Sequence, residues 1–144
     1  MRTPQENEAM CRTFVDEVFN NRKLGHAEES LAEDFVEHNP WPGTDPTKAG
    51  AVEGFRKMIE ASPDLRAEIL DLVATGNKVA LRGTFSGTDT GGLMPGAPAT
   101  GKPFSAESID VVTIDDDGKF VEHYGILDVP AVMMQIGLMP VPGE

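Results

Sequence analysis

The stretch "IDVVTIDDDGKFVEHYGILD" holds an aspartate and a histidine, Asp110 and His123, on either side of the turn-forming run "DDDG". Two segments rich in β-branched and aromatic residues around such a run predict a β-hairpin. With residues 115–118 as a four-residue loop, Ile114 pairs with Lys119, Val112 with Val121, and Asp110 with His123. That sets a carboxylate opposite an imidazole. The carboxylate would orient the ring and favour its charged form, bringing a group of ordinary pKa about 6.5 into range for giving or taking a proton. The same register also describes a cross-strand polar pair that only satisfies itself, and a slip of one residue would put the two side chains on opposite faces.

Other residues could contribute to a site. His38 and Trp41 lie in "EHNPWPG", a proline-rich loop at an expected pocket rim, where a histidine is otherwise simply solvated. Arg82 is predicted opposite Asp71 across a two-residue Gly76-Asn77 turn, either as a structural ion pair or as an anion-holding group. His26 reads as surface at a helix start. Phe55, Met58, Met133 and Met134 fall at helical spacing, which makes them core or, at most, apolar cavity wall. No phosphate loop, metal-ligand cluster or nucleophile elbow is present, so the expected chemistry uses neither cofactor nor metal.

Positioning these residues requires both helices and a sheet. Met10, Phe14 and Val18 recur on one side of Glu6–Lys23 and predict a first helix, with Cys11 on its apolar side. A second is expected over about His26–Asp34, burying Leu31 and reaching Phe35 and Val36. A third should start at Thr47 as N-cap and bury Val52, Phe55, Met58 and Ile59. After Asp64 the pattern turns to strands: a hairpin around Gly76-Asn77, a long Gly/Pro-rich connection from Gly87 to Lys102 readable as a lid or an ordinary loop, and the second hairpin. Pro130 and Gly137 bracket a final short helix. Helices followed by an antiparallel sheet predict an α+β class. On the expected register Ile109, Val111, Phe120, Tyr124 and Ile126 share one apolar sheet face, which predicts a homodimer.

The chain of 144 residues has the size of one domain, residues 1–144, and its net charge of -12 argues against nucleic acid and anionic membranes as partners. A single cysteine and no apolar run long enough for a signal or membrane span point to a cytoplasmic location.

"FVEHNPWPG", "GFRKMIEASPDLRAEILDLVATGNKVALRGTFSGTDTG", "PATGKPF", "IDVVTIDDDGKFVEHYGILD" and "QIG" resemble, in order and spacing, the SnoaL-like polyketide cyclase family. The resemblance implies a cone-like α+β barrel in which N-terminal helices pack into a strongly curved, mostly antiparallel sheet, as in ketosteroid isomerase, scytalone dehydratase and limonene epoxide hydrolase. It implies cofactor-independent enolisation of a hydrophobic, polyketide-like carbonyl compound, followed by intramolecular aldol closure. Carried onto this sequence, Asp110 occupies the position of a pocket histidine, Gly125 that of the family's acid/base aspartate, and Asp128 that of a later aspartate. Asp110 and His123 would then form the acid/base pair, His38 and Arg82 would hydrogen-bond the enolate, and Trp41, Phe55, Met58, Asp128 and Met133 would complete the substrate site. A hydrolase or hydroxylation component, or a non-catalytic binding or dimerisation module, are the alternatives that the same fold allows.

Overall fold

The computed structural model describes residues 1–143. Helix α1 (Pro4–Phe14) starts at Thr3, whose hydroxyl accepts from the Glu6 N–H while the Glu6 carboxylate accepts from the Thr3 N–H. It continues as a π-helical segment, Val15–Asn20, that turns Val18 and Phe19 inward. Helix α2 (Leu24–Ser30) ends earlier than the periodicity predicts, and Leu31–Glu37 form a strand, β1. The expected helix over Leu31–Asp34 is therefore corrected: Leu31, Phe35 and Glu37 are buried with the spacing of two and four that a strand requires.

Helix α3 (Lys48–Ala61) is capped by the Thr47 hydroxyl, which accepts from the Gly50 N–H. Strands β2 (Arg66–Thr75) and β3 (Lys78–Thr88) form the hairpin predicted around Gly76-Asn77, with Asp71 opposite Arg82. Strands β4 (Pro103–Ile114) and β5 (Phe120–Leu127) form the second hairpin, and α4 (Val129–Gln135) closes the chain with Asp128 as its N-cap. The sheet order is β1-β5-β4-β3-β2, with β1 parallel to β5 and the other pairings antiparallel. No pairing joins β1 to β2, so the sheet curls around the helices without closing into a barrel.

The core lies between this sheet and the helices. Phe14 meets Phe55 and Phe120 edge-on at 5.8 and 5.1 Å, and Phe19 meets Phe55 and Phe85 at 5.3 and 5.0 Å. Such ring pairs hold shape without filling all the space between the layers. A cavity of about 480 Å³ remains, walled by α1, the π-helical segment, α3 and the inner side of the sheet.

The connection between β3 and β4 is anchored by Asp89. Its fully buried carboxylate accepts from the N–H groups of Leu93 (2.6 Å) and Thr100 (3.0 Å) and from the Thr100 hydroxyl (2.9 Å). Burial pushes this carboxyl upward, but the hydrogen bonds outweigh it and hold the group below the ordinary range. The loop so gathered carries Met94 and Pro95 to the cavity wall.

Candidate functional site

The second hairpin sets the geometry. Its turn spans five residues: the Asp115 N–H donates to the Lys119 carbonyl, and the Asp115 carboxylate accepts from the Asp117 and Lys119 N–H groups. Gly118, at φ +76°, supplies the left-handed turn position. Ile114 then pairs with Phe120, and an irregularity between Thr113 and Ile114 makes Thr113 pair with Glu122. His123 therefore stands opposite Val112, and Asp110 opposite Gly125. The direct pairing of Asp110 with His123 is corrected by two residues. A shift of two preserves the face, so the two side chains still meet, as diagonal neighbours. The irregularity also moves Phe120 off the expected outer face and into the core.

His123 Nε2 lies 2.7 Å from Asp110 Oδ1, and the other Asp110 oxygen accepts from the Ser108 hydroxyl at 3.0 Å. The ring reaches Asp110 by lying over Gly125. A Cβ added at Gly125 would overlap Asp110 Oδ1 and come within 2.6 Å of His123 Cε1 and 2.7 Å of Nε2. The missing side chain at 125 is thus what lets the histidine and the aspartate meet.

The other ring nitrogen engages a group that sequence reasoning missed. His123 Nδ1 lies 2.8 and 2.7 Å from the two oxygens of Glu37, at the end of β1, which pairs in register with His123. Glu37 is only 5% exposed and also accepts from the Asn39 N–H at 3.0 Å, while Asn39 Oδ1 accepts from the Gly125 N–H at 3.0 Å. Reading Phe35 and Glu37 as alternate residues of a strand, rather than as a helix exit and the first residue of a proline-rich loop, would have pointed to it.

A ring with a carboxylate on each nitrogen donates to both only when both nitrogens carry protons. Burial, the strongest single influence on His123, disfavours that charge. The hydrogen bonds to Asp110 and Glu37 and the charges of both carboxylates together overcome it, raising the pKa to about 9. The result is a carboxylate–imidazolium–carboxylate row, in which Asp110 is the carboxylate more open to the cavity: its side chain is 19% exposed against 7% for Glu37.

Of the other predicted residues, Trp41, Phe55 and Met58 line the cavity with Phe14, Phe19 and Leu81. Trp41 Cβ packs over Gly54 of α3, where a Cβ would stand 3.1 Å away. His38, Arg82, Asp128 and Met133 do not line it. His38 is on the outer side, stacked on Tyr124 at 3.8 Å with Nε2 3.0 Å from Glu122. Arg82 bridges Asp71 (2.7 Å) and Glu107 (2.5 Å) on the exposed face, because alternation on β3 turns Leu81 and Gly83 inward and residue 82 outward. The Asp128 carboxylate is spent capping α4. Cys11 lies on the cavity wall with its thiol pushed up to about 12 by burial, which leaves it un-ionised. Among the described residues no group of three or more His, Cys, Asp or Glu is arranged to hold a metal ion, and no helix is long and apolar enough to cross a membrane.

A family model for the SnoaL-like polyketide cyclases matches residues 9–136. The chain belongs to this family. Among solved structures, IdmH of Streptomyces antibioticus, a proposed polyketide cyclase, is 30% identical with a TM-score of 0.76 over 94% of this chain and 99% of IdmH. TsrD of Streptomyces laurentii is 27% identical with a TM-score of 0.85 over 96% and 100% of the two chains. AclR of Streptomyces galilaeus, a proposed hydroxylase, is 26% identical with a TM-score of 0.85 over 98% and 87%. No curated protein matches the chain. Family membership accords with the α+β architecture and with an apolar cavity on the inner side of the sheet.

Proposed function

We propose that this family member is a cofactor-independent cyclase that enolises a hydrophobic, polyketide-like carbonyl compound and closes a ring by intramolecular aldol addition. The observation that carries this reading is an aspartate side chain 2.7 Å from the His123 ring at the polar end of an otherwise apolar cavity. Asp110 takes a proton from a carbon next to a carbonyl. His123 fixes the orientation of Asp110 and balances its charge, and the side-chain NH₂ of Asn39 donates to the enolate oxygen. The enolate carbon then bonds to a second carbonyl carbon of the same molecule, and Asp110 returns its proton to the alkoxide so formed. Trp41, Phe55 and Met58 hold the rings. His38, Arg82, Asp128 and Met133, which lie away from the cavity, have no role in this scheme.

The direct test is deuterium uptake from heavy water at the carbon between the two carbonyls of an aryl β-keto ester, followed by proton NMR. The wild-type chain should accelerate uptake over buffer, and Asp110→Asn should return it to the buffer rate; equal rates for the two would retire the proposal.

The similarity to AclR favours a second reading, in which the same row activates water or assists hydroxylation. Product formed in ¹⁸O-labelled water carries the label in a hydrolase; in a hydroxylase the label enters only from ¹⁸O-labelled molecular oxygen, and a cyclase adds no oxygen from either. Under either reading the outer sheet face, where Ile109, Tyr124 and Ile126 are exposed, docks on a second copy of the chain. A monomer in sedimentation at micromolar concentration would count against that pairing.

A further inference from the structure

Glu37 takes no part in the proton transfer described above, yet it holds the ring that orients the base. We propose that Glu37 is a positioning residue that keeps His123 an imidazolium throughout turnover, so that Asp110 alone carries the substrate proton. This rests on the reading of Asp110 as the base.

The geometry supports it from three sides. Both Glu37 oxygens face Nδ1, leaving Nε2 for Asp110, so the ring is shared between two acceptors and its plane is fixed. Glu37 is buried, and removing the proton from the ring would leave its carboxylate in an apolar setting without a counter-charge. The charged groups lining the cavity are Glu37, Glu68, Asp110 and His123, with no lysine or arginine to take over that task. Ser108 and Asn39, the other polar neighbours in the row, are neutral.

A histidine facing Asp110 alone could pass its Nε2 proton to that carboxylate, giving a neutral pair in which the base is already consumed. Glu37 makes the neutral ring the costlier partner. Asp110 therefore stays ionised until substrate arrives, and Ser108, which donates to Oδ2, can rotate to accept once that oxygen is protonated. Glu37 also holds the Asn39 N–H, so one carboxylate orders both the ring and the proposed enolate donor.

Nitrogen-15 NMR of the histidine rings in the full chain tests the assignment without a substrate. In the wild type at pH 7.5 both His123 nitrogens should be protonated, and in Glu37→Gln the ring should titrate about one to three units lower. A neutral wild-type ring at that pH, or an unmoved titration in the variant, overturns the proposal. The wild-type measurement decides even where the variant does not fold. In the deuterium-uptake assay, Glu37→Gln should bring the alkaline fall of the rate down by the same interval while keeping the rate near pH 6. A uniform loss at every pH would instead mark Glu37 as merely structural. Undiminished uptake in Asp110→Asn sinks the base assignment and leaves the ring titration as a separate result.

Discussion

A histidine and a glutamate meet twice in this molecule, on opposite sides of the same sheet. His38 and Glu122 are each 31% exposed in their side chains, and the ring stacks on Tyr124. His123 and Glu37 are 26% and 7% exposed, and the far side of that ring meets a second carboxylate. The residue types are the same and the distances differ by only a few tenths of an ångström. What differs is water. Within one copy of the chain, solvent reaches both partners on the outer side, whereas on the inner side the buried Glu37 charge depends on its neighbour.

The largest effect should come from taking the inner row apart. Asp110→Asn and His123→Ala should each lower turnover by roughly 10²–10⁴-fold with the fold retained by circular dichroism, in line with positioned acid/base catalysis. Wild-type rates in both variants would dissolve the distinction between the two sides.

Next comes pH. The folded pKa of His123, about 9, lies above the unfolded value, so its contribution to stability is complete below about pH 6.5 and is lost as pH rises through 9. The loss should be on the order of 3 kcal/mol. Denaturant unfolding at pH 6, 8 and 10 measures it, and His123→Gln should flatten that slope; a wild-type slope rising with pH would contradict the charged row.

Gly125→Ala sharpens the comparison by crowding the inner site without changing its charge. The added methyl should push the His123 ring off Asp110, cutting turnover roughly 10–100-fold and stability by about 1–3 kcal/mol. An unaffected variant would show that the close approach over Gly125 is dispensable.

The outer face should show the smallest response. Arg82→Ala and His38→Ala should leave turnover unchanged, because neither residue lines the cavity. A large loss of activity from either would bring the outer face into the mechanism.

Much of this arrangement was legible before any coordinates. Two-residue turn chemistry at Gly76-Asn77 predicted the Asp71–Arg82 register, Thr47 marked the start of α3, and strand alternation put Asp110 and His123 on one face. The errors are local and share a cause. The run Leu31–Glu37 has spacings compatible with either a helix or a strand, and only its parallel pairing beside β5 decides between them. The five-residue turn and the irregularity after Thr113 are backbone events with no strong residue signature, yet they moved the register by two and took Phe120 inside. His38 and Arg82 carried chemistry by type, and tertiary placement put them on the solvent side.

The sequence alone determined which residues of each strand share a side, because alternation along a strand is a property of the backbone itself; that Asp110 and His123 share a face also needed the register shift to be an even number. It did not determine that a third group, Glu37, would arrive from the opposite end of the chain, since a parallel pairing between β1 and β5 is chosen by long-range packing. Only the tertiary structure decided that the ring would lie between two carboxylates, one of them shut off from water. Burial is a property of the whole chain, and here it turns two ordinary hydrogen bonds into a charged row.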